Sequence, residues 1–170
     1  MLALQHLYIY FYIFVHLQYL SFLDRFEVHR NGFMGSLPTN FTSPNFSVLS
    51  VFDNQLDGSL PSSLFNLTAL TVLYLHQNSF GGALSEDFGK LVNLEKLFLQ
   101  GNSFIGTVPV SLVSLANLNL EELKISKGLD GGLPTDICTS DGEFRVGVEC
   151  GHTLEPCNCC YDVCTNSTFP

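Results

Sequence analysis

The amino-acid sequence predicts an α/β fold of the β-rich kind, a solenoid in which each coil contributes one short parallel strand. Two observations predict it. A block of residues recurs with its asparagine at intervals of 23, 24 and 24 residues, and no copy carries enough apolar residues to bury its own leucines. The chain has 170 residues, of which 46% are hydrophobic. Stacked coils can therefore share one continuous core in a single domain.

The repeated block has four clear copies and one altered copy. The clear copies start at Phe26, Leu49, Leu73 and Leu97. The altered copy, from Leu123 to Pro134, lacks the asparagine and one residue of the turn. Apolar residues at alternate positions within each copy predict a short strand with one buried face.

The repeated asparagines are expected to form a ladder inside the solenoid, because an amide side chain can satisfy backbone groups of the neighbouring coil. These residues are Asn31, Asn54, Asn78 and Asn102. After the following glycine, Leu-Pro begins a return segment in which apolar residues recur every three positions. That spacing predicts 3₁₀ or short helical turns on the convex side. Examples of it are Leu64, Leu67 and Leu70, and Phe88, Leu91 and Leu94.

The consensus LxxLxLxxNxLxGxIPxxLxxLxx resembles the plant-type leucine-rich repeat over roughly residues 17–137. The resemblance implies a leucine-rich-repeat solenoid and leaves the ligand open. Two features depart from the plant-type pattern: the paired cysteines that commonly precede such repeats are missing, and no kinase signature follows them. The sequence is therefore expected to be a fragment or a shortened member of the family.

Residues 138–170 are predicted to form a disulfide-rich C-terminal cap, which resembles the cysteine-rich end of short diatom leucine-rich-repeat proteins. The segment contains all six cysteines: Cys138, Cys150, Cys157, Cys159, Cys160 and Cys164. An even number of cysteines among few other core-forming residues favours three disulfides in an oxidising compartment over a zinc site. The pairing is open, except that a bridge between adjacent cysteines would be strained.

Four N-glycosylation sequons predict a glycoprotein of the secretory pathway, located outside the cell or at its surface. Their asparagines are Asn40, Asn45, Asn66 and Asn166.

Residues 1–23 are almost entirely apolar, and no charged residue precedes Asp24. Leu17, Leu20 and Leu23 have the spacing of the return segments, which favours a degenerate N-terminal repeat. A hydrophobic signal or anchor segment is the alternative, because the length is sufficient for one. With an anchor, the chain would associate with a membrane.

The net charge of −9 argues against nucleic-acid binding, because phosphates would be repelled. Hydrolase, zinc-protease, phosphate-binding and kinase motifs are missing from the sequence, so we expect no enzymatic activity, no cofactor and no metal site. The acidic pairs Glu86-Asp87 and Glu121-Glu122 are expected to lie on connecting segments in contact with solvent.

The concave face is the expected binding surface, because residues between the strand leucines point towards it. They form two columns: Glu27, Ser50, Tyr74, Phe98 and Lys124; and His29, Phe52, His76, Gln100 and Ser126. Aromatic rings at the centre favour recognition of a protein, peptide or glycan. Strand propensity alone would also place aromatic residues there. Two further alternatives are a structural glycoprotein of a wall or matrix and an ectodomain fragment of a membrane receptor.

Overall fold

The computed structural model describes residues 22–116, 119–126 and 128–129, and the strand residues 145–148, 160–162 and 167–168. The expected degenerate repeat or anchor lies outside the described residues except for its last two positions. Asn166 and five of the six cysteines also lie outside them, and for Cys160 only the backbone is described. Among the described residues, no helix is long and apolar enough to cross a membrane.

The described strands form two sheets, and the first eight strands alternate between them. In chain order they are β1 (Arg25–Glu27), β2 (Met34–Ser36), β3 (Val48–Ser50), β4 (Gln55–Gly58), β5 (Val72–Tyr74), β6 (Ser79–Ala83), β7 (Lys96–Phe98), β8 (Ser103–Ile105), β9 (Glu122–Ile125), β10 (Arg145–Val148), β11 (Cys160–Asp162) and β12 (Ser167–Thr168). The larger sheet has the order β1-β3-β5-β7-β9-β10-β11-β12, and only β12 pairs antiparallel. In this sheet each repeat contributes one strand that pairs in parallel with the next, which confirms the predicted solenoid.

A second parallel sheet, with the order β2-β4-β6-β8, was not expected from the sequence, where this segment resembles a turn. Three of its four strands, β4, β6 and β8, have a single buried residue, as in Gln55-Leu56-Asp57. Gly58 and Gly82 have φ values of 76° and 84°, a left-handed backbone conformation that favours glycine. The hydrogen bonds of these strands come from neighbouring coils, so no single copy of the repeat shows them.

The return segments are short helices, as the three-residue spacing predicts. Two are 3₁₀ helices (Ser62–Asn66 and Glu86–Lys90), and the third is the α-helix α1 (Ser111–Ala116). Each packs apolar side chains on the core, which is continuous along the solenoid. The side chain of Ser85 caps the second 3₁₀ helix by accepting from the amide of Asp87 at 3.1 Å.

Asparagine side chains join successive coils through the interior. The amide nitrogen of Asn78 donates to the carbonyl oxygen of Leu75 in its own coil, at 3.1 Å, and to that of Val51 in the preceding coil, at 3.0 Å. Its amide oxygen accepts from the backbone amide of Leu56 at 3.0 Å. Asn54 and Asn102 make the equivalent bonds.

Ser126 corrects one prediction. It was expected on the concave face, but it is fully buried, and its hydroxyl donates to the carbonyl oxygen of Leu99 at 2.7 Å. In the preceding coil, the equivalent carbonyl of Leu75 accepts from Asn102. Ser126 therefore continues the ladder in the coil that has lost its asparagine.

Candidate functional site

The first predicted column lies in register across the concave sheet. Cα pairing aligns Glu27 with Ser50, Ser50 with Tyr74, Tyr74 with Phe98, and Phe98 with Lys124. The register is maintained although the interval between Phe98 and Lys124 is longer than the interval between Tyr74 and Phe98. Strand pairing therefore brings side chains that are distant in the sequence onto one surface.

The second column contains a stack of three rings. Phe52 lies between His29 and His76, with ring centroids 4.5 Å and 4.4 Å apart and interplanar angles of 4° and 9°. These distances match the separation of about 4.8 Å between neighbouring strands, so the sheet itself sets the stack. Gln100 follows in the next coil and is half-buried.

A shorter stack in the first column lies beside the longer one. Tyr74 and Phe98 stack with centroids 4.6 Å apart, and the ammonium nitrogen of Lys124 lies 3.9 Å from the centroid of Phe98. Edge-to-face contacts of Phe52 with Tyr74, at 6.4 Å, and of His76 with Phe98, at 5.8 Å, join the stacks. We call the five rings of His29, Phe52, Tyr74, His76 and Phe98 the aromatic cluster. All five are half-buried.

Two members of the aromatic cluster, His76 and Tyr74, are uncharged near neutral pH. Burial lowers the pKa of His76 to about 4, aided by the charge of Lys124 and opposed by that of Asp53. Burial also raises the pKa of the Tyr74 hydroxyl. Within the described residues, neither the His76 Nδ1 atom nor the Gln100 Oε1 atom has a hydrogen-bond partner, and both are buried.

A third column of concave residues was missed from the sequence because the expected columns started after the first strand leucine. Cα pairing aligns its members across six strands: Arg25, Val48, Val72, Lys96, Glu122 and Arg145. The alternation of side chains along each strand could have revealed this column, since Lys96, two positions before Phe98, must share the face of Phe98.

Ion pairs lie on β1 and on β9 of the concave sheet. Arg25 pairs with Glu27 at 2.8 Å, and Lys124 pairs with Glu122 at 3.2 Å. Glu122 was expected on a connecting segment. It belongs to β9 instead, because its pairing with Lys96 continues the strand.

Glu86 also differs from the expectation of a merely solvated acid. Its carboxylate accepts from the backbone amides of Ser111, at 2.9 Å, and Val110, at 3.2 Å, in the next coil. The hydrogen bond from the Ser111 amide is the main reason why the pKa of Glu86 is lowered. This carboxylate therefore fixes the start of α1.

Three sequon asparagines, Asn40, Asn45 and Asn66, are exposed and lie outside the concave strands. Asn66 ends the first 3₁₀ helix. In the part of the chain that the structure describes, no group of three or more His, Cys, Asp or Glu side chains could hold a metal ion.

The family model described as Leucine Rich Repeat matches residues 69–91 and 93–115. Among solved structures, the chain is similar to the LRR ectodomain of the membrane receptor kinase GASSHO1/SCHENGEN3 from Arabidopsis thaliana, in complex with CASPARIAN STRIP INTEGRITY FACTOR 2. The sequence identity is 33% and the TM-score 0.68, over 80% of this chain and 16% of that one.

The chain is also similar to PEPR1 in the PEPR1–AtPEP1 structure, with 27% identity and a TM-score of 0.69 over 78% of this chain and 19% of that one. A third similar structure is the Arabidopsis receptor kinase HAESA in complex with the peptide hormone IDA and the co-receptor SERK1. Here the identity is 25% and the TM-score 0.68, over 79% of this chain and 24% of that one.

The chain thus spans less than a quarter of the length of these three proteins. No curated protein sequence matches it. The matched repeats, the sheet topology and the structural similarity together show that the chain folds as a leucine-rich-repeat solenoid.

Proposed function

We propose that this chain is an extracellular recognition module that binds a protein or peptide on its concave face and has no catalytic role. The aromatic cluster is the observation that carries the proposal. Its five rings are half-buried and held by stacking, so they lose little conformational entropy when a partner binds.

The arrangement of the rings favours a peptide over a glycan. Sugars pack on open ring faces, but both faces of Phe52 are covered by imidazoles, and those of Phe98 are covered by Tyr74 and Lys124. The cluster therefore offers ring edges, which suit aromatic and aliphatic side chains in edge-to-face contact.

The similar structures support the same class of partner. The HAESA structure is a complex with a peptide hormone and a co-receptor, and the PEPR1 structure is a complex with AtPEP1. One of the similar structures is the ectodomain of a membrane receptor kinase. A second candidate for this chain is therefore the ectodomain portion of a membrane receptor. In that case the same concave face would bind the partner.

An extracellular, glycosylated and disulfide-bonded state is part of the proposal. Asn40, Asn45 and Asn66 are exposed and lie outside the concave strands, so glycans attached there would leave the binding face open. Asn166 is proposed as a fourth site. Three disulfides among the six cysteines of residues 138–170 would suit the same compartment.

The test is truncation of the rings. The full chain is secreted from eukaryotic cells, its partner is captured from the medium, and affinity is measured for Phe98→Ala, Tyr74→Ala and the matched control Val92→Ala. Val92 is exposed and lies outside the concave strands. We expect each ring variant to weaken binding by about tenfold or more with a nearly unchanged unfolding midpoint.

If both ring variants bind like the unmodified chain, the concave face is not the binding site. A large fall in the unfolding midpoint of the ring variants would instead assign the cluster to structural packing, which also contradicts the proposal.

A further inference from the structure

The basic side chains of this acidic protein are concentrated on the concave face. The chain has seven Lys and Arg residues against sixteen Asp and Glu residues. Four of the seven occupy the concave columns: Arg25, Lys96, Lys124 and Arg145. A fifth, Arg30, lies over the Phe52 ring at 5.8 Å. In the described parts of the columns, only Glu27 and Glu122 are acidic, so the columns carry a net charge of +2 in a chain of net charge −9.

Two lysines place this positive charge beside the shorter ring stack. Lys124 covers one face of Phe98, and its charge is partly balanced by Glu122 at 3.2 Å. Lys96 is two residues before Phe98 on the same strand, and its charge acts on the hydroxyl of Tyr74. Among the described residues, Lys96 has no ion-pair partner.

Acidic residues border the positively charged concave columns at the start of the strands. Glu95 and Glu121 directly precede β7 and β9, and both are exposed. Positive charge on the columns attracts an anionic partner to them, and the neighbouring negative charge disfavours docking at the start of the strands. The charge pattern therefore selects where the partner binds as well as the sign of the partner's charge.

On the basis of the proposed concave binding site, we propose that this face selects an acidic peptide segment. Carboxylates of the peptide contact Lys96 and Lys124, and its apolar side chains contact the edges of Tyr74 and Phe98. Cations beside rings match an extended segment whose protein-facing side chains, which are every second residue, are alternately acidic and apolar.

An anionic polysaccharide fits the same surface less well. Polyanions bind runs of uninterrupted positive charge, whereas Glu122 lies in register between Lys96 and Arg145. The covered faces of Phe98 also leave no platform for a sugar ring. An extended peptide can place an apolar side chain or a hydrogen-bond donor opposite Glu122.

Three peptide pools of equal apolar content test the proposal. Each contains peptides of about eight residues, long enough when extended to cross the five repeat strands. Along one face of each extended peptide, at every second residue, varied apolar residues alternate with Asp/Glu in the first pool, Asn/Gln in the second and Lys/Arg in the third. Binding of each pool, and of a sulfated polysaccharide, is measured with the secreted full chain.

We expect the acidic pool to bind about tenfold more tightly than the neutral pool, with a difference that shrinks as salt is raised. Lys96→Glu should remove or reverse this preference. Lys90→Glu is the matched control, because Lys90 lies on the second 3₁₀ helix and pairs with Asp87.

Equal binding of the acidic and neutral pools, or no binding of the acidic pool, overturns the selection of acidic peptides. If Phe98→Ala still weakens partner binding by about tenfold or more, the proposed function stands without the selection of acidic peptides. Tighter binding of the sulfated polysaccharide through the same lysines overturns the choice of a peptide as the ligand.

Discussion

At the scale of single residues, His76 on the concave face should make the free energy of unfolding depend on pH. Its ring is stacked on Phe52 and its pKa is about 4, well below the ordinary value of 6.5. Between these two values the unfolded chain binds a proton that the folded chain does not. The free energy of unfolding should therefore fall as the pH drops from about 6.5 towards 4.

His76→Phe should flatten this pH dependence while keeping a ring against Phe52. Because His76 is only half-buried, we expect the loss in the unmodified chain to be on the order of 1 kcal/mol between pH 7 and pH 4. Urea unfolding at several pH values measures it, with Tyr74→Phe as the control that should retain the slope. Parallel slopes for the unmodified chain and His76→Phe would exclude His76 as the source.

The asparagine ladder gives a second prediction at this scale. Asn78→Ala leaves the amide of Leu56 unpaired and removes donors to the carbonyls of Val51 and Leu75. We expect a loss of about 3 kcal/mol of unfolding free energy. Asn31→Ala should cost clearly less, because Asn31 is exposed and the donors of its side chain reach only Val28 and His29 in its own coil. Equal costs in urea unfolding would contradict this difference.

At the scale of elements, Glu86 shows how one coil positions the next. Its carboxylate holds the two amides at the start of α1. We expect Glu86→Ala to raise the hydrogen-exchange rates of the Val110 and Ser111 amides, whereas Asp87→Ala should leave them unchanged, because Asp87 pairs with Lys90. Unchanged exchange in Glu86→Ala would mean that α1 starts without this contact.

The sequence predicts an element well when residues within one repeat determine it, and poorly when contacts with neighbouring coils do. Burial of Leu64 or Leu97 follows from apolar spacing, so the concave strands and the return helices were predictable. The second sheet and the role of Ser126 depend on partners about a coil away, which no single repeat reveals. In the candidate site, the two expected columns followed from alternation, but the stacking of rings depends on the register between strands.

At the scale of the whole molecule, exposed sequons and the concave face lie on different parts of the solenoid. Asn40, Asn45 and Asn66 lie outside the concave strands. We expect Gln substitution at each position to raise electrophoretic mobility stepwise after secretion, because one glycan is lost each time. Affinity for the captured partner should stay the same. A loss of affinity without unfolding would place a glycan at the binding interface.

The stacked rings also act as spacers between coils. His29, Phe52 and His76 fill the gap between successive strands with centroid separations of 4.5 Å and 4.4 Å, slightly less than the usual strand spacing of about 4.8 Å. Aromatic rings in van der Waals contact resist further compression and lose attraction when separated. The column, held in register by the sheet, therefore resists both compression and separation of these three coils on the concave face.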